Sequence, residues 1–337
     1  MASNVKVVRV GSRSSQLAII QTNTIISAMK KVHPEVNFVV QTMETIGDKV
    51  LDRALPNIGS TNLFTKELEL ALAANEVDMI VHSLKDLPTT LSPEFDLAAI
   101  FKRDDPTDAL LLAPKHKGRD LASLPSGCVV GTSSLRRMAQ IRSHCPGLLF
   151  KSVRGNLNTR LKKLDAENGE YDALVLATSG LERLGWHGRI SQRLDPSYCL
   201  YAVGQGALAV ETRSSDTRMQ QLLDCLNHPP TVVCCSSERA FLHVLEGGCS
   251  APVGVCCTVE EGCVKMSGAV LSLDGMKKVN GTISQTLPEN WERLDYHAMC
   301  SCGSAVGEQL AKTLLERGAR HILEEAKTDN EWLSRQD

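Results

Sequence analysis

The sequence predicts an α/β protein with two related α/β domains of mainly parallel sheet and a smaller C-terminal α+β domain. Three observations carry this. Strand-like and helical runs alternate through the first two thirds of the 337 residues, a chain too long for one comfortable core. A strand–glycine–helix segment near the start is echoed in the second quarter. The last third gives up the alternation for consecutive strands flanked by helices.

The elements follow in order. A β-rich run at 6–10 leads into apolar residues at helical spacing over 14–31, and 38–43 is the next strand. Residues 48–62 read as a loop broken by Pro56 and Gly59. A helix over 65–75 precedes a buried strand at 78–82, which ends at Ser83-Leu84-Lys85-Asp86. Short apolar strands at 128–131, 149–153 and 173–177 each lead into a helical segment. Ligands of such folds collect at the carboxyl ends of the strands. The echo pairs Val8-Arg9-Val10-Gly11-Ser12-Arg13-Ser14-Ser15-Gln16-Leu17 with Val129-Val130-Gly131-Thr132-Ser133-Ser134-Leu135-Arg136-Arg137. Both read strand, glycine, hydroxyl residue, then a helix with arginine in its first turn. Residues 237–245 are helical up to the break at Gly247-Gly248-Cys249-Ser250. Strands around 254–259, 263–273 and 281–285 follow, and an amphipathic helix over about 298–317 closes the unit. The stretch 275–296 has the weakest pattern and is expected to be partly loop.

The net charge of −2 conceals an imbalance. Between Lys115 and Lys163 stand eleven Lys and Arg against one acid, Asp120, so this stretch alone carries +10. A basic region inside a mildly acidic protein points to an anionic partner. Aromatics are 4% of the chain and Phe150 is the lone one in that stretch, which leaves few stacking platforms and argues against nucleic acid. No apolar run approaches the roughly 20 residues that span a bilayer. The start lacks the apolar core of a signal peptide, and the twelve cysteines show no C-x-x-C zinc pattern and no compact disulfide framework. A cytoplasmic chain with reduced thiols and no metal is the expectation, with a monomer as the default.

Three features could carry chemistry. Arg13, Arg136 and Arg137 sit in first helical turns, where the helix dipole disfavours a cation unless an anion binds there too. Arg154 and Arg160 extend the group from the next strand end. Asp86, at the end of a buried strand, reads either as a turn cap or as a carboxylate aimed into a cleft and kept ionised by nearby cations. Cys249 reads either as a small buried hydrophobe or, between glycines, as an exposed thiol suited to nucleophilic attack or covalent attachment.

Together, Gly11-Ser12-Arg13-Ser14-Ser15-Gln16-Leu17-Ala18, Leu63-Phe64-Thr65-Lys66-Glu67-Leu68-Glu69 and His82-Ser83-Leu84-Lys85-Asp86-Leu87-Pro88 closely resemble the hydroxymethylbilane synthase (porphobilinogen deaminase) family. So do Gly131-Thr132-Ser133-Ser134-Leu135-Arg136-Arg137, Arg154-Gly155-Asn156-Leu157-Asn158-Thr159-Arg160-Leu161 and Leu245-Glu246-Gly247-Gly248-Cys249-Ser250. The resemblance implies two periplasmic-binding-protein-like α/β domains and a transferase of haem and tetrapyrrole biosynthesis. Such enzymes join four porphobilinogen molecules head to tail, release ammonia at each step and hydrolyse off linear hydroxymethylbilane. It also implies a dipyrromethane cofactor, made from porphobilinogen and held by a thioether to Cys249. By the same resemblance Asp86 and Lys85 are catalytic. Cys249, Lys85, Ser83, Arg136, Arg137, Arg154, Arg160, Thr132, Ser133 and Gln205 serve the cofactor. Arg13, Ser15, Gln16, Arg183 and Phe64 serve the substrate. The implied domains are 1–100 with the return segment 200–218, then 101–199, then 219–337, with Gly204-Gln205-Gly206 as a hinge. Thr61 departs from the family, which commonly has lysine there. The rival reading is a non-catalytic two-domain anion-binding protein, which explains the arginines but gives Asp86 and Cys249 no joint purpose.

Overall fold

The computed structural model describes residues 6–45, 65–245 and 252–334. Phe64, Cys249 and the expected loop at 48–62 lie outside them. The first sheet is built from β1 (Lys6–Arg13), which feeds α1 (Gln16–Val32), and from β2 (Val36–Met43). After α2 (Lys66–Ala73) come β3 (Met79–Ser83) and β4 (Phe95–Ile100). The second sheet runs through β5 (Asp108–Leu112), β6 (Val129–Gly131), α3 (Leu135–His144), β7 (Leu149–Lys151) and α4 (Leu157–Asp165). It ends with β8 (Ala173–Ala177), α5 (Thr178–Arg183) and β9 (Gln192–Leu194). The chain then returns to the first sheet as β10 (Leu208–Arg213), followed by α6 (Thr217–Leu223) and α7 (Pro229–Val244). A third unit holds β11 (Val253–Glu260), β12 (Cys263–Leu271), β13 (Lys278–Thr286), α8 (Tyr296–Glu316) and α9 (Ala319–Ser334).

The first two sheets share one plan. Their strand orders are β2-β1-β3-β10-β4 and β7-β6-β8-β5-β9. In each, three parallel strands precede a fourth that runs antiparallel to both of its neighbours. Four of the five strands in each sheet therefore run the same way, mainly parallel as expected, with one reversed strand in each. The reversed strands, β5 and β10, are short and almost wholly buried, so they lack the alternation that marks a half-exposed strand. The internal echo has a structural meaning: β1 and β6 hold the same second position.

Local chemistry accounts for the elements. Ser15 caps α1 by accepting from the Ala18 N–H at 3.4 Å, and Lys30 and Lys31 in the last turn favour the dipole. Ile25, Ile26 and Met29 on its inner face join Val8, Val10 and Phe38 in one core. In the third unit an antiparallel meander packs under α7 and α8. Leu84 and Leu87, from the turn after β3, are buried in that same core beside Val232, Phe241 and Val255. The stretch expected to be partly loop contains the full nine-residue β13, whose inner and outer residues alternate. The closing helix expected to end near 317 is followed by a break at Gly318, after which the chain resumes as α9.

Candidate active site

The site lies where the carboxyl ends of β1, β3, β6 and β8 meet the two segments that cross between the sheets. β3 ends at Ser83, whose Oγ accepts from Gln21 Nε2 at 2.8 Å. A single 3₁₀ turn, Leu84–Asp86, follows. Because Leu84 and Leu87 are anchored in the core, the turn presents Lys85 and Asp86 on its other side. Lys85 Nζ reaches Gln205 Oε1 at 3.5 Å. Gln205, fully buried on the return crossing, donates from Nε2 to Pro106 O at 2.7 Å and to Asp108 Oδ1 at 2.9 Å. The crossing bends tightly at Gly204, where φ is +70° and a Cβ would stand 2.8 Å from Leu84 Cγ.

Arg136 and Arg137 occupy the first turn of α3, as expected, below the Ser134 cap. Arg13 does not share that placement: it is the last residue of β1, and its helix starts beyond the Ser15 cap. The unfavourable dipole at Arg136 and Arg137 is offset by a residue that none of the sequence motifs includes. Asp108, fully buried, accepts from Arg136 Nη1 at 2.7 Å and from Arg137 Nε and Nη2 at 2.9 and 2.7 Å. Arg137 also donates to Val175 O at 3.0 Å, and Arg136 to Leu200 O at 2.6 Å. Both arginines thus already hold a carboxylate of their own chain. The available signal was an acid at the head of the apolar run Ala109-Leu110-Leu111-Leu112, where a charge is out of place unless paired.

The remaining residues line the same region. Thr132 Oγ1 accepts from the Ser134 N–H at 3.2 Å, and Ser133 Oγ donates to Val153 O at 2.9 Å. Gly155 turns the chain with φ +100°, Asn156 caps α4, and Arg160 Nε donates to Gly155 O at 2.8 Å. Gln16 Oε1 accepts from Asn158 Nδ2 at 3.0 Å, joining the starts of α1 and α4 across the two sheets. Arg183, at the end of α5, reaches to the crossing segments, paired with Asp104 at 2.8 Å and donating to Gly206 O at 2.7 Å.

Electrostatics shows what is missing from this set. Burial is the main cause that brings Lys85 down to about 8, and Arg137 and Arg136 push the same way against Asp86 and Asp108. Burial likewise brings Arg160 down to about 10, with Arg137 and Arg154 adding to the fall and Asp86 opposing it. Burial first, and the neighbouring guanidiniums second, disfavour the protonated forms of Lys85 and Arg160, so a further anion at this place would stabilise both. The donor set therefore fits a ligand with several carboxylates, as the implied cofactor has.

A cationic cleft at strand carboxyl ends, bridged by crossing segments and with more cations than acids, defines a class: an α/β protein built to hold a polyanion. Residues 8–221 match the family model "Porphobilinogen deaminase, dipyromethane cofactor binding domain", and 232–316 match "Porphobilinogen deaminase, C-terminal domain". The chain belongs to the porphobilinogen deaminase family, a family of transferases. The porphobilinogen deaminase of Synechococcus elongatus is 47% identical over 96% of this chain and 97% of its own length. That of Gloeobacter violaceus is 46% identical over 95% and 94%. Among solved structures, the periplasmic aliphatic sulphonate binding protein of Escherichia coli is 13% identical, covering 72% of this chain and 71% of its own, with a TM-score of 0.39.

Proposed function

We propose that this chain condenses four porphobilinogen molecules head to tail, with loss of ammonia at each step, and releases linear hydroxymethylbilane. The observation that supports the reading is the crowding of Lys85, Arg136, Arg137 and Arg160 near only two carboxylates, Asp86 and the already paired Asp108, an excess of positive charge. The dipyrromethane, joined through a thioether to Cys249, would supply the primer on which the chain grows.

This chain's own residues divide the work. Lys85, Arg154 and Arg160 bind carboxylates of cofactor and product, and Arg136 adds the donors that Asp108 leaves free. Ser83, Thr132, Ser133 and Gln205 orient them. Arg13, Ser15, Gln16, Phe64 and Arg183 hold the incoming substrate. Asp86 faces the pyrrole N–H of the substrate, stabilises the cation left when ammonia departs, and accepts the proton lost when the ring regains aromaticity. The proposed domains are 1–100 with 200–218, 101–199 and 219–337. This division is supported by the return of β10 to the first sheet. We also read the chain as a cytoplasmic monomer. Eleven described cysteines are free thiols, and no described helix is long and apolar enough to cross a membrane.

The test is intact-protein mass. Active protein should carry a covalent increment equal to two linked pyrroles, absent from Cys249→Ser. An unmodified mass in active protein overturns the reading.

A further inference from the structure

Far from the cleft, at the opposite end of the second sheet, three different metal-ligating side chains converge. β6 and β8 are parallel neighbours, so their starting ends lie side by side, and antiparallel β5 finishes at the same edge. Cys128 immediately precedes β6, Asp172 immediately precedes β8, and His116 ends the 3₁₀ turn that follows β5. His116 Nε2 lies 2.9 Å from Asp172 Oδ1 and 3.7 Å from Cys128 Sγ. All three ligand atoms fall within 4.8 Å of one another. The Asp172 carboxylate is oriented from behind, because its Oδ2 accepts the Val129 N–H at 2.7 Å. The site is thus set by backbone as well as by side chains.

We propose that His116, Cys128 and Asp172 bind one thiophilic divalent cation, Zn2+, with a fourth position open to water. Zinc–ligand bonds of about 2.0–2.3 Å place tetrahedral ligand atoms roughly 3.3–3.7 Å apart. The Sγ–Nε2 separation already suits this, and the Nε2–Oδ1 pair needs to open by a few tenths of an ångström. One thiolate, one imidazole and one carboxylate form a set that selects zinc over magnesium or calcium, which take oxygen alone. Binding replaces the proton on Cys128 Sγ, which leaves to solvent. Lys115 Nζ now sits 2.7 Å from Asp172 Oδ1, so a cation already occupies the rim of the site. Its side chain is 62% exposed and free to withdraw as the ion enters. The ion would tie together the ends of β5, β6 and β8 and so stabilise the second sheet. Spacings of twelve and forty-four residues between ligands match no short zinc motif, which is why the sequence pattern offers no hint of it.

Cobalt(II) is the probe. The full-length protein, stripped by a chelator, should bind one equivalent with a thiolate-to-cobalt charge-transfer band and the visible bands of a four-coordinate ion. Zinc should displace it. Cys128→Ser should lose the charge-transfer band while keeping its porphobilinogen turnover, which shows that it folds. Lys115→Ala removes only an exposed competitor and should bind cobalt about two- to fivefold more tightly. A spectrum unchanged in Cys128→Ser, absence of the band in the wild type, or unaltered affinity in Lys115→Ala overturns the proposal.

Discussion

Asp108 and Arg137 form the innermost ion pair of the cleft, with Oδ1 accepting from Nε at 2.9 Å and from Nη2 at 2.7 Å. Burial alone would raise the Asp108 pKa, but Arg136 and Arg137 overcome it and hold the carboxyl well below the usual carboxylate range. Asp108→Asn would keep the shape and leave two buried guanidiniums without a counter-charge. Breaking such a pair costs about 3–5 kcal/mol. The variant should unfold at lower temperature and load less cofactor, read by calorimetry and by intact mass. The sign with pH follows from the depressed pKa. The contribution of Asp108 is complete above the unfolded value of about 3.9 and fades as pH falls below it. The stability gap between wild type and Asp108→Asn should therefore narrow below about pH 4; a gap under about 1 kcal/mol at neutral pH would show the pair to be dispensable.

Lys85 behaves in the opposite sense. Its pKa falls from 10.5 to about 8, chiefly by burial, so between those values the folded chain binds fewer protons than the unfolded one. Stability from this group therefore rises with pH across that window, and below it the full penalty of the buried cation is present. Lys85→Met should be more stable than wild type at pH 7 and lack that rise, measured by denaturant unfolding at several pH values. Function runs the other way, because a neutral amine holds no carboxylate. Assembly of the cofactor on apo-protein should slow as pH rises through about 8, and Lys85→Arg should move that limb upward. A pH-independent rate between 7 and 9.5, on the order of the wild-type maximum throughout, would remove Lys85 from the site.

Asp86 can be tested with little risk to the fold, because the buried Leu84 and Leu87 anchor its turn and no described hydrogen bond or ion pair involves its carboxylate. Asp86→Asn should fold, lose the charge interaction with Lys85 and Arg160, and lose turnover by about a hundredfold or more. Steady-state rates on protein shown by mass to carry the cofactor give the answer. Near-normal turnover in such protein would end the catalytic role.

What was legible in the sequence follows the range over which each interaction acts. Helix caps, glycine turns and apolar periodicity are local, and so α1 was legible to within two residues and the arginines of α3 were expected in its first turn, although its bounds were not. Arg160, which feels both Arg137 and Asp86, could be singled out through family motifs. Asp108 was not, because its meaning comes from partners 28 and 29 residues away on a helix that approaches from behind. Arg13 was misassigned for a related reason: the extended backbone of β1 runs three residues past the apolar run at 6–10, and no residue type marks that end. The antiparallel strands β5 and β10 escaped because strand direction depends on where the chain re-enters, which composition does not encode.

Arg103 and Glu238 join the crossing segment to the third unit. The guanidinium binds both Glu238 carboxylate oxygens, at 2.6 and 2.8 Å, lies 4.8 Å over the Tyr201 ring and donates to Gln205 O at 2.8 Å. Glu238 Oε2 also accepts the Gly204 N–H at 2.8 Å, so one ion pair fixes both sides of Gln205. Arg103→Ala should cost about 3–5 kcal/mol by leaving a buried carboxylate unpaired. Arg103→Met combined with Glu238→Gln should cost less than the sum of the two single changes. A double-mutant cycle measures the difference, and strict additivity would mean that the pair is not coupled.

The third unit depends on close approach of α7 and α8. A Cβ on Gly307 would collide with the Ser237 backbone carbonyl, and one on Gly303 with that of Val233. A carbonyl in the middle of a helix cannot move aside without breaking the helix, unlike the end of a flexible side chain. Gly307→Ala should therefore force the helices apart and open the core around Phe241 and Val306. The expected loss is about 1–3 kcal/mol or more, well beyond the gain in helix propensity of roughly 1 kcal/mol that alanine brings. Gly188→Ala is the control, since nothing lies within 4 Å of its Cβ position and its backbone carries no positive φ. Its midpoint in denaturant should match the wild type. Because α7 also carries Glu238, the Gly307→Ala variant should lose the Arg103 pairing and bind cofactor poorly even at temperatures where it remains folded. Normal loading in Gly307→Ala would show that the cleft does not feel how these two helices pack.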